Sequence, residues 1–156
     1  MKDIKSILVP LTLTKDSKNI LGYAASLADK FDARLTVLHV LREPKMDLSE
    51  IDYESGFLLK IKEHQEKEMR DELEKLLSED YLKKYDTSFE LIWGQPFLEI
   101  VNKAKNISAD MIVMGTHGRT GLSHVLLGSV AEKVLRLAPC PVMIIRGKDY
   151  KFEPLS

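Results

Sequence analysis

The sequence predicts an α/β fold: a doubly wound, five-stranded parallel sheet in the expected order 3-2-1-4-5, with helices on both faces. Three observations predict the parallel sheet and its helices; the order is the one expected of a doubly wound sheet. Five short runs of mainly apolar residues alternate with stretches whose apolar residues recur at three- and four-residue steps, the periods of buried strands and amphipathic helices. The first run, Ile7-Leu8-Val9, is apolar on both faces, as a strand covered by helices on both sides is. Each helical stretch lies between two strand runs, the crossover that parallel pairing requires.

Ile7-Leu8-Val9, ended by Pro10, is the first strand. Ile20, Leu21, Ala24, Leu27, Ala28 and Phe31 then form the buried stripe of a first helix, with Thr14 as its expected N-cap. Leu35 to Val40 is the second strand, rich in branched residues that suit a pleated surface. Residues 42–55 have no period and carry Pro44. From Leu58 a long helix keeps only a narrow stripe (Leu58, Ile61, Met69, Leu73, Leu76) amid dense charge, so most of it is expected to face solvent. Ser88 to Trp93 is the third strand, closed by Gly94. Pro96 suits a first helical turn, and Phe97, Ile100, Val101, Ala104 and Ile107 follow at helical spacing. Residues 110–114 are the fourth strand, Ser129 to Leu137 the fourth helix and Val142 to Ile145 the last strand.

The chain is expected to be one domain over residues 1–156, with 146–156 as a C-terminal tail. At this length roughly 68–70% of the unfolded surface is buried on folding, enough for a core without disulfides or metal. Its 23 basic and 24 acidic residues leave a net charge of -1, which argues against a nucleic-acid binder and against a polybasic membrane patch. By segment the balance splits. Residues 1–42 hold 7 basic and 4 acidic side chains, 43–90 hold 8 and 15, and 91–156 hold 8 and 5. A single cysteine, Cys140, allows no internal disulfide and fits a reducing cytoplasm. The N-terminus lacks a signal-peptide core, and no apolar run approaches the ~20 residues of a membrane span.

Ligands of open parallel sheets bind beyond the carboxyl ends of the strands, where strand order reverses. After the fourth strand the chain reads Met114-Gly115-Thr116-His117-Gly118-Arg119-Thr120-Gly121, then continues to Gly128-Ser129, a long connection for such a unit. Phosphate binding is one reading. Gly115 and Gly118 lack Cβ and let backbone N–H groups approach an anion, while Gly128-Ser129 opens a helix whose unpaired N–H groups and dipole favour phosphate. The other reading is structural: Gly115 ends a strand, Gly121 makes a turn and Ser129 caps a helix.

This stretch resembles the adenine-nucleotide-binding branch of the universal stress protein family, whose loop carries Gly, two residues, Gly, nine residues, Gly, then Ser or Thr. Gly115, Gly118, Gly128 and Ser129 match it without a spacing error. Ile7-Leu8-Val9-Pro10, Gly94-Gln95-Pro96 and Ala138-Pro139-Cys140-Pro141-Val142 extend the resemblance over most of the chain. By position, the resemblance implies that Pro10, Leu11, Thr12 and Val40 border an adenosine. It places Met114, Gly115, His117 and Gly118 on the ribose-phosphate side, and Gly128, Ser129, Val130 and Ala131 at the phosphate end. Arg119 either reaches a terminal phosphate or is a solvated loop charge.

One position departs from the family pattern: an acidic residue is usual two places beyond the strand-ending proline, and Thr12 stands there. A hydroxyl neither makes a charged bond nor holds a metal well, and losing a charge-assisted bond costs ~1.5–3 kcal/mol. The expected ligand is ATP or another adenine nucleotide, accompanied by Mg or Mn at most weakly on this side.

The other reactive side chains have plainer readings. His117 and His124, seven apart, have no nearby carboxylate and are read as facing solvent or phosphate. His39 is read as strand packing, His64 as surface, Trp93 as core and Cys140 as a small apolar residue. Residues 42–55 follow the second strand and are a conceivable cover for the site. No Walker loop and no dinucleotide turn is present. No catalytic or metal-ligating residue is assigned.

The expected function is therefore a cytoplasmic adenine-nucleotide-binding protein of stress response or regulation, with hydrolysis slow at most. The alternatives are a nucleotide-independent homodimeric interaction module and a slow ATPase. In the expected order the last strand is an edge with an apolar row. Antiparallel pairing of two such edges through residues 142–146 makes a homodimer, as the resemblance also implies. Nucleic acid and membrane are not expected partners.

Overall fold

A computed structural model of the chain describes residues 3–44, 56–116 and 127–147. Within them the elements run β1 (Ser6–Pro10), α1 (Ser17–Phe31), β2 (Arg34–Leu41), α2 (Phe57–Leu77), β3 (Thr87–Trp93), α3 (Pro96–Asn106), β4 (Met111–Gly115), α4 (Ser129–Leu137) and β5 (Val142–Ile145). All pairings are parallel, in the order β3-β2-β1-β4-β5, as the sequence predicts. The chain winds outward from β1 through β2 to β3, then returns to lay β4 on the other side of β1. That reversal puts the crevice between β1 and β4.

Alternation along β1 divides the core. Ile7 and Val9 face α1 and α2 with Leu21, Ala24, Leu35, Val37 and Leu73; Leu8 faces α3 and α4 with Leu38, Ile100, Ala104, Ile112 and Val134. Every residue of β1 is buried, so the central strand has no solvent face. Burying one such side chain contributes about 1.5–3 kcal/mol. The small residues of α1 (Ala24, Ala25, Ala28) let it lie close on the sheet, and all three are buried.

The long helix α2 buries only Leu73, in keeping with its narrow apolar stripe. Arg70 lies over the Phe89 ring at 5.7 Å and Lys62 over Trp93 at 5.0 Å, so cations cover much of β3 on this side. Trp93 is half-buried rather than core.

The start of α1 differs from the expected cap. Asp16, not Thr14, occupies the N-cap position, without a side-chain cap bond. Thr14 and Ser17 satisfy each other instead: Thr14 N–H donates to Ser17 Oγ at 2.9 Å and Ser17 N–H to the Thr14 carbonyl at 3.0 Å. At the opposite end of the sheet, the Asp110 carboxylate accepts from the amides of Lys5 at 2.9 Å and Ser6 at 3.1 Å, aligning the entries of β4 and β1. Among the described residues, no helix is long and apolar enough to cross a membrane.

Candidate functional site

The expected site residues within the described part collect at the carboxyl end of the sheet. Pro10 is the last residue of β1, Val40 lies near the end of β2, and Met114 and Gly115 end β4. Ser129, Val130 and Ala131 form the first turn of α4. His117, Gly118 and Arg119 lie outside the described residues, as does His124, and as do residues 45–55 of the expected cover.

Side-chain directions sort these residues. Val40, Met114, Val130 and Leu127 belong to one apolar cluster on the α3 and α4 face. Leu11, expected beside them, is 3% exposed and packs in the opposite cluster with α1. Only its main chain is left to meet a ligand, whereas Thr12 after it is exposed. His39 is buried at 5% exposure, as a strand-packing residue is, but it is also bonded: Nδ1 lies 2.8 Å from the Leu11 carbonyl. A carbonyl only accepts, so Nδ1 carries the proton.

Gly115 is a strand residue paired with Ile145, and its φ is not positive. Gly128 has φ -58 and ψ 147, which any residue adopts. Neither needs a glycine's backbone freedom. What both offer is a missing Cβ, which permits close approach. Thr116 N–H donates to the Ile145 carbonyl at 3.2 Å, and its own carbonyl accepts from Gly128 N–H at 2.9 Å.

Among the described residues, no side chain caps the start of α4. Gly128 has no side chain to cap it, and the first helical bond runs from Glu132 N–H to the Gly128 carbonyl at 2.9 Å. The N–H groups of Ser129, Val130 and Ala131 precede that ladder, at the helix end carrying about half a positive charge. Ser129 is exposed at this end.

A cleft of about 510 Å³ adjoins Ser129 and Val130, lined also by Arg42, Gln95, Phe97 and Lys133. Lys133 Nζ stands 4.8 Å from the Phe97 ring centroid. Glu43, at the rim, is paired with Lys62 at 2.5 Å. These lining residues follow β2 and β3 or come from α4, so the carboxyl-end rule could have drawn attention to Arg42, Gln95 and Phe97 but not to Lys133. A hollow of about 380 Å³ at the other end of the sheet holds Lys5, Asp29, Asp32 and Lys84, paired as Lys5–Asp32 at 3.4 Å and Lys84–Asp29 at 3.2 Å.

Among the described residues, no three His, Cys, Asp or Glu side chains converge as metal ligands. Thr12 supplies only a neutral hydroxyl on the β1 side. The described residues there do not fit a protein-held divalent ion.

Known proteins share both sequence and architecture with the chain. Universal stress protein MJ0531 of Methanocaldococcus jannaschii is 35% identical over 147 residues, covering 91% of this chain and 82% of that protein. The solved structure of hypothetical protein MJ0577 is similar with a TM-score of 0.81 at 27% identity, covering 95% of this chain and 99% of that one. The universal stress protein from Archaeoglobus fulgidus in complex with dAMP has a TM-score of 0.62 at 20% identity, covering 92% and 98%, a likeness of fold. The model of the universal stress protein family matches residues 3–146, and the chain belongs to that family.

Proposed function

We propose that this chain is an adenine-nucleotide-binding protein that acts in stress response or regulation, and that its ligand lies across the crevice between β1 and β4. The observation that carries this reading is the uncapped start of α4, held beside the end of β4 by the Gly128–Thr116 bond, within a segment whose glycines and serine keep nucleotide-loop spacing. Val40, Met114 and Val130 supply an apolar wall for adenosine. The N–H groups of Ser129, Val130 and Ala131, with the Ser129 hydroxyl, are suited to phosphate oxygens. His117, Gly118 and Arg119 complete the loop on the sequence pattern alone. The complex of the A. fulgidus protein with dAMP is consistent with a ligand of this class in this fold.

Binding is favoured over turnover, because neither the sequence pattern nor the described residues offer a general base at the site. The protein is proposed to work in the cytoplasm as a homodimer, using the β5 edge, where Val142, Met143 and Ile144 are only half-buried. Thr12 favours a second reading, a dimeric interaction module that needs no nucleotide.

Freshly purified protein, denatured and analysed by chromatography, is expected to release an adenine nucleotide, and a Gly118→Val variant is expected to release much less. Equal nucleotide content in the two proteins removes the loop from the reading. No nucleotide from the native protein, together with no binding on titration, leaves the interaction module.

A further inference from the structure

We propose that His39 is a positioning residue that aims the Thr12 amide into the crevice between β1 and β4; the inference rests on the nucleotide reading above. His39 lies two residues beyond Val37 and shares its sheet face, on the α1 side, where an imidazole is buried at 5% exposure. Burying that ring is unfavourable unless its N–H finds an acceptor. The acceptor is the Leu11 carbonyl, at 2.8 Å, where β1 has just left the sheet.

Leu11 is held twice. Its N–H donates to the Leu38 carbonyl at 2.9 Å while its carbonyl accepts from His39. Both polar groups bond residues of β2 and therefore face it. The Thr12 N–H belongs to the same peptide unit as the Leu11 carbonyl. No cis bond occurs among the described residues, so the two point opposite ways across a trans plane. The strand on the other side of β1 is β4. The chain then turns away at Leu13, in left-handed conformation with φ 51.

The imidazole thus prolongs the grip of β2 on β1 by one residue beyond the last paired position, Pro10 with Leu38. The product is a backbone donor directed at the proposed ligand, at a position whose side chain is neutral. The group it recognises is a hydrogen-bond acceptor on the adenosine portion of the ligand.

The test compares three variants in titrations with ATP and with AMP. His39→Asn places an amide nitrogen where Nδ1 stands and keeps the donor. His39→Gln keeps polarity but displaces the nitrogen, and His39→Phe keeps the ring without a donor. Losing one aimed hydrogen bond corresponds to roughly tenfold weaker binding, expected for Phe and Gln, with Asn restoring affinity to within about threefold of native. Hydrogen exchange at the Leu11 amide is expected to quicken in the Gln and Phe variants and not in Asn. If Gln and Asn bind equally and protect Leu11 equally, His39 is merely structural and the inference is overturned. Should the native protein bind neither nucleotide, the functional reading fails. Leu11 exchange still decides whether His39 holds this peptide, and unchanged protection in the Gln variant overturns the positioning role.

Discussion

The amide of Gly128 donates to the carbonyl of Thr116 at 2.9 Å, tying the start of α4 to the residue just past β4. The contact holds beside the crevice a helix end that no described side chain caps. Without it, the direction of α4 would rest on its packing against α3 and the sheet, where Ala131 and Val134 join the cluster of Leu8 and Ile112.

Gly128 can be tested because its φ and ψ suit any residue. Gly128→Ala is expected to leave stability unchanged or raise it by about 0.4–1 kcal/mol, since alanine has less freedom to lose on folding. Nucleotide affinity is expected to fall, because a Cβ would stand where the phosphate approaches. Denaturant unfolding and ligand titration together separate the two effects; unaltered affinity would mean that no ligand comes close to this residue.

The central strand should be the least tolerant of truncation. Leu8 is 0% exposed and packs with Leu38, Ile100 and Ile112 beneath α3 and α4. Leu8→Ala is expected to cost about 2–5 kcal/mol, read as a lower urea midpoint at an unchanged slope.

Alkaline pH should weaken the contact between α1 and the segment after α2. Burial, and next the Glu79 carboxylate, push the Tyr81 phenol above its ordinary value of 10.0; the bond to Glu79 raises Lys18 above 10.5. In both cases the folded state holds the proton more tightly, so the stabilisation is complete below the ordinary value and is lost as pH rises through the folded one. Unfolding midpoints are expected to decline from about pH 10 upward, less steeply in Tyr81→Phe. The same decline in both proteins would exclude Tyr81 as a source.

The one tryptophan reports on β3 and α2. Lys62 is 5.0 Å from the Trp93 ring centroid, and Trp93 Nε1 donates to Glu66 at 3.4 Å. Lys62→Met is expected to shift the emission of Trp93 and to cost about 0.5–1 kcal/mol. An unchanged spectrum would show that the ammonium does not rest on the ring in solution.

Nucleotide binding should survive removal of divalent ions. Thr12 carries no charge, and the described residues form no metal cluster. Titration of ATP in a chelator is expected to show binding no more than severalfold weaker than with Mg, that is, a loss below the ~1.5–3 kcal/mol of a charge-assisted bond. An absolute metal requirement would contradict the proposed role of Thr12.

Much of the fold was legible because each element announces itself over a few adjacent residues. Pro96 was expected in a first turn and is there, and α4 and β5 have the expected bounds. The α1 cap was not legible. Thr14, Asp16 and Ser17 are all capping residues, and the mutual bonds of Thr14 and Ser17 decided among them.

The candidate site was legible in part. The family pattern nominates Met114, Gly115, Gly128 and Ser129, which lie together at the carboxyl end of the sheet, but could not tell that the Leu11 side chain turns into the α1 core. Nor could it join Arg42, Gln95, Phe97 and Lys133 around one cleft, since they come from three separate parts of the chain.

The sequence by itself determined the strands, the helices and the loop spacing, because periodicity and turn chemistry act between near neighbours. Only the tertiary structure decided which face each strand-end residue takes and that His39 meets the Leu11 carbonyl, 28 residues away. Such contacts depend on register between strands, and a shift of one residue would send every side chain to the other face.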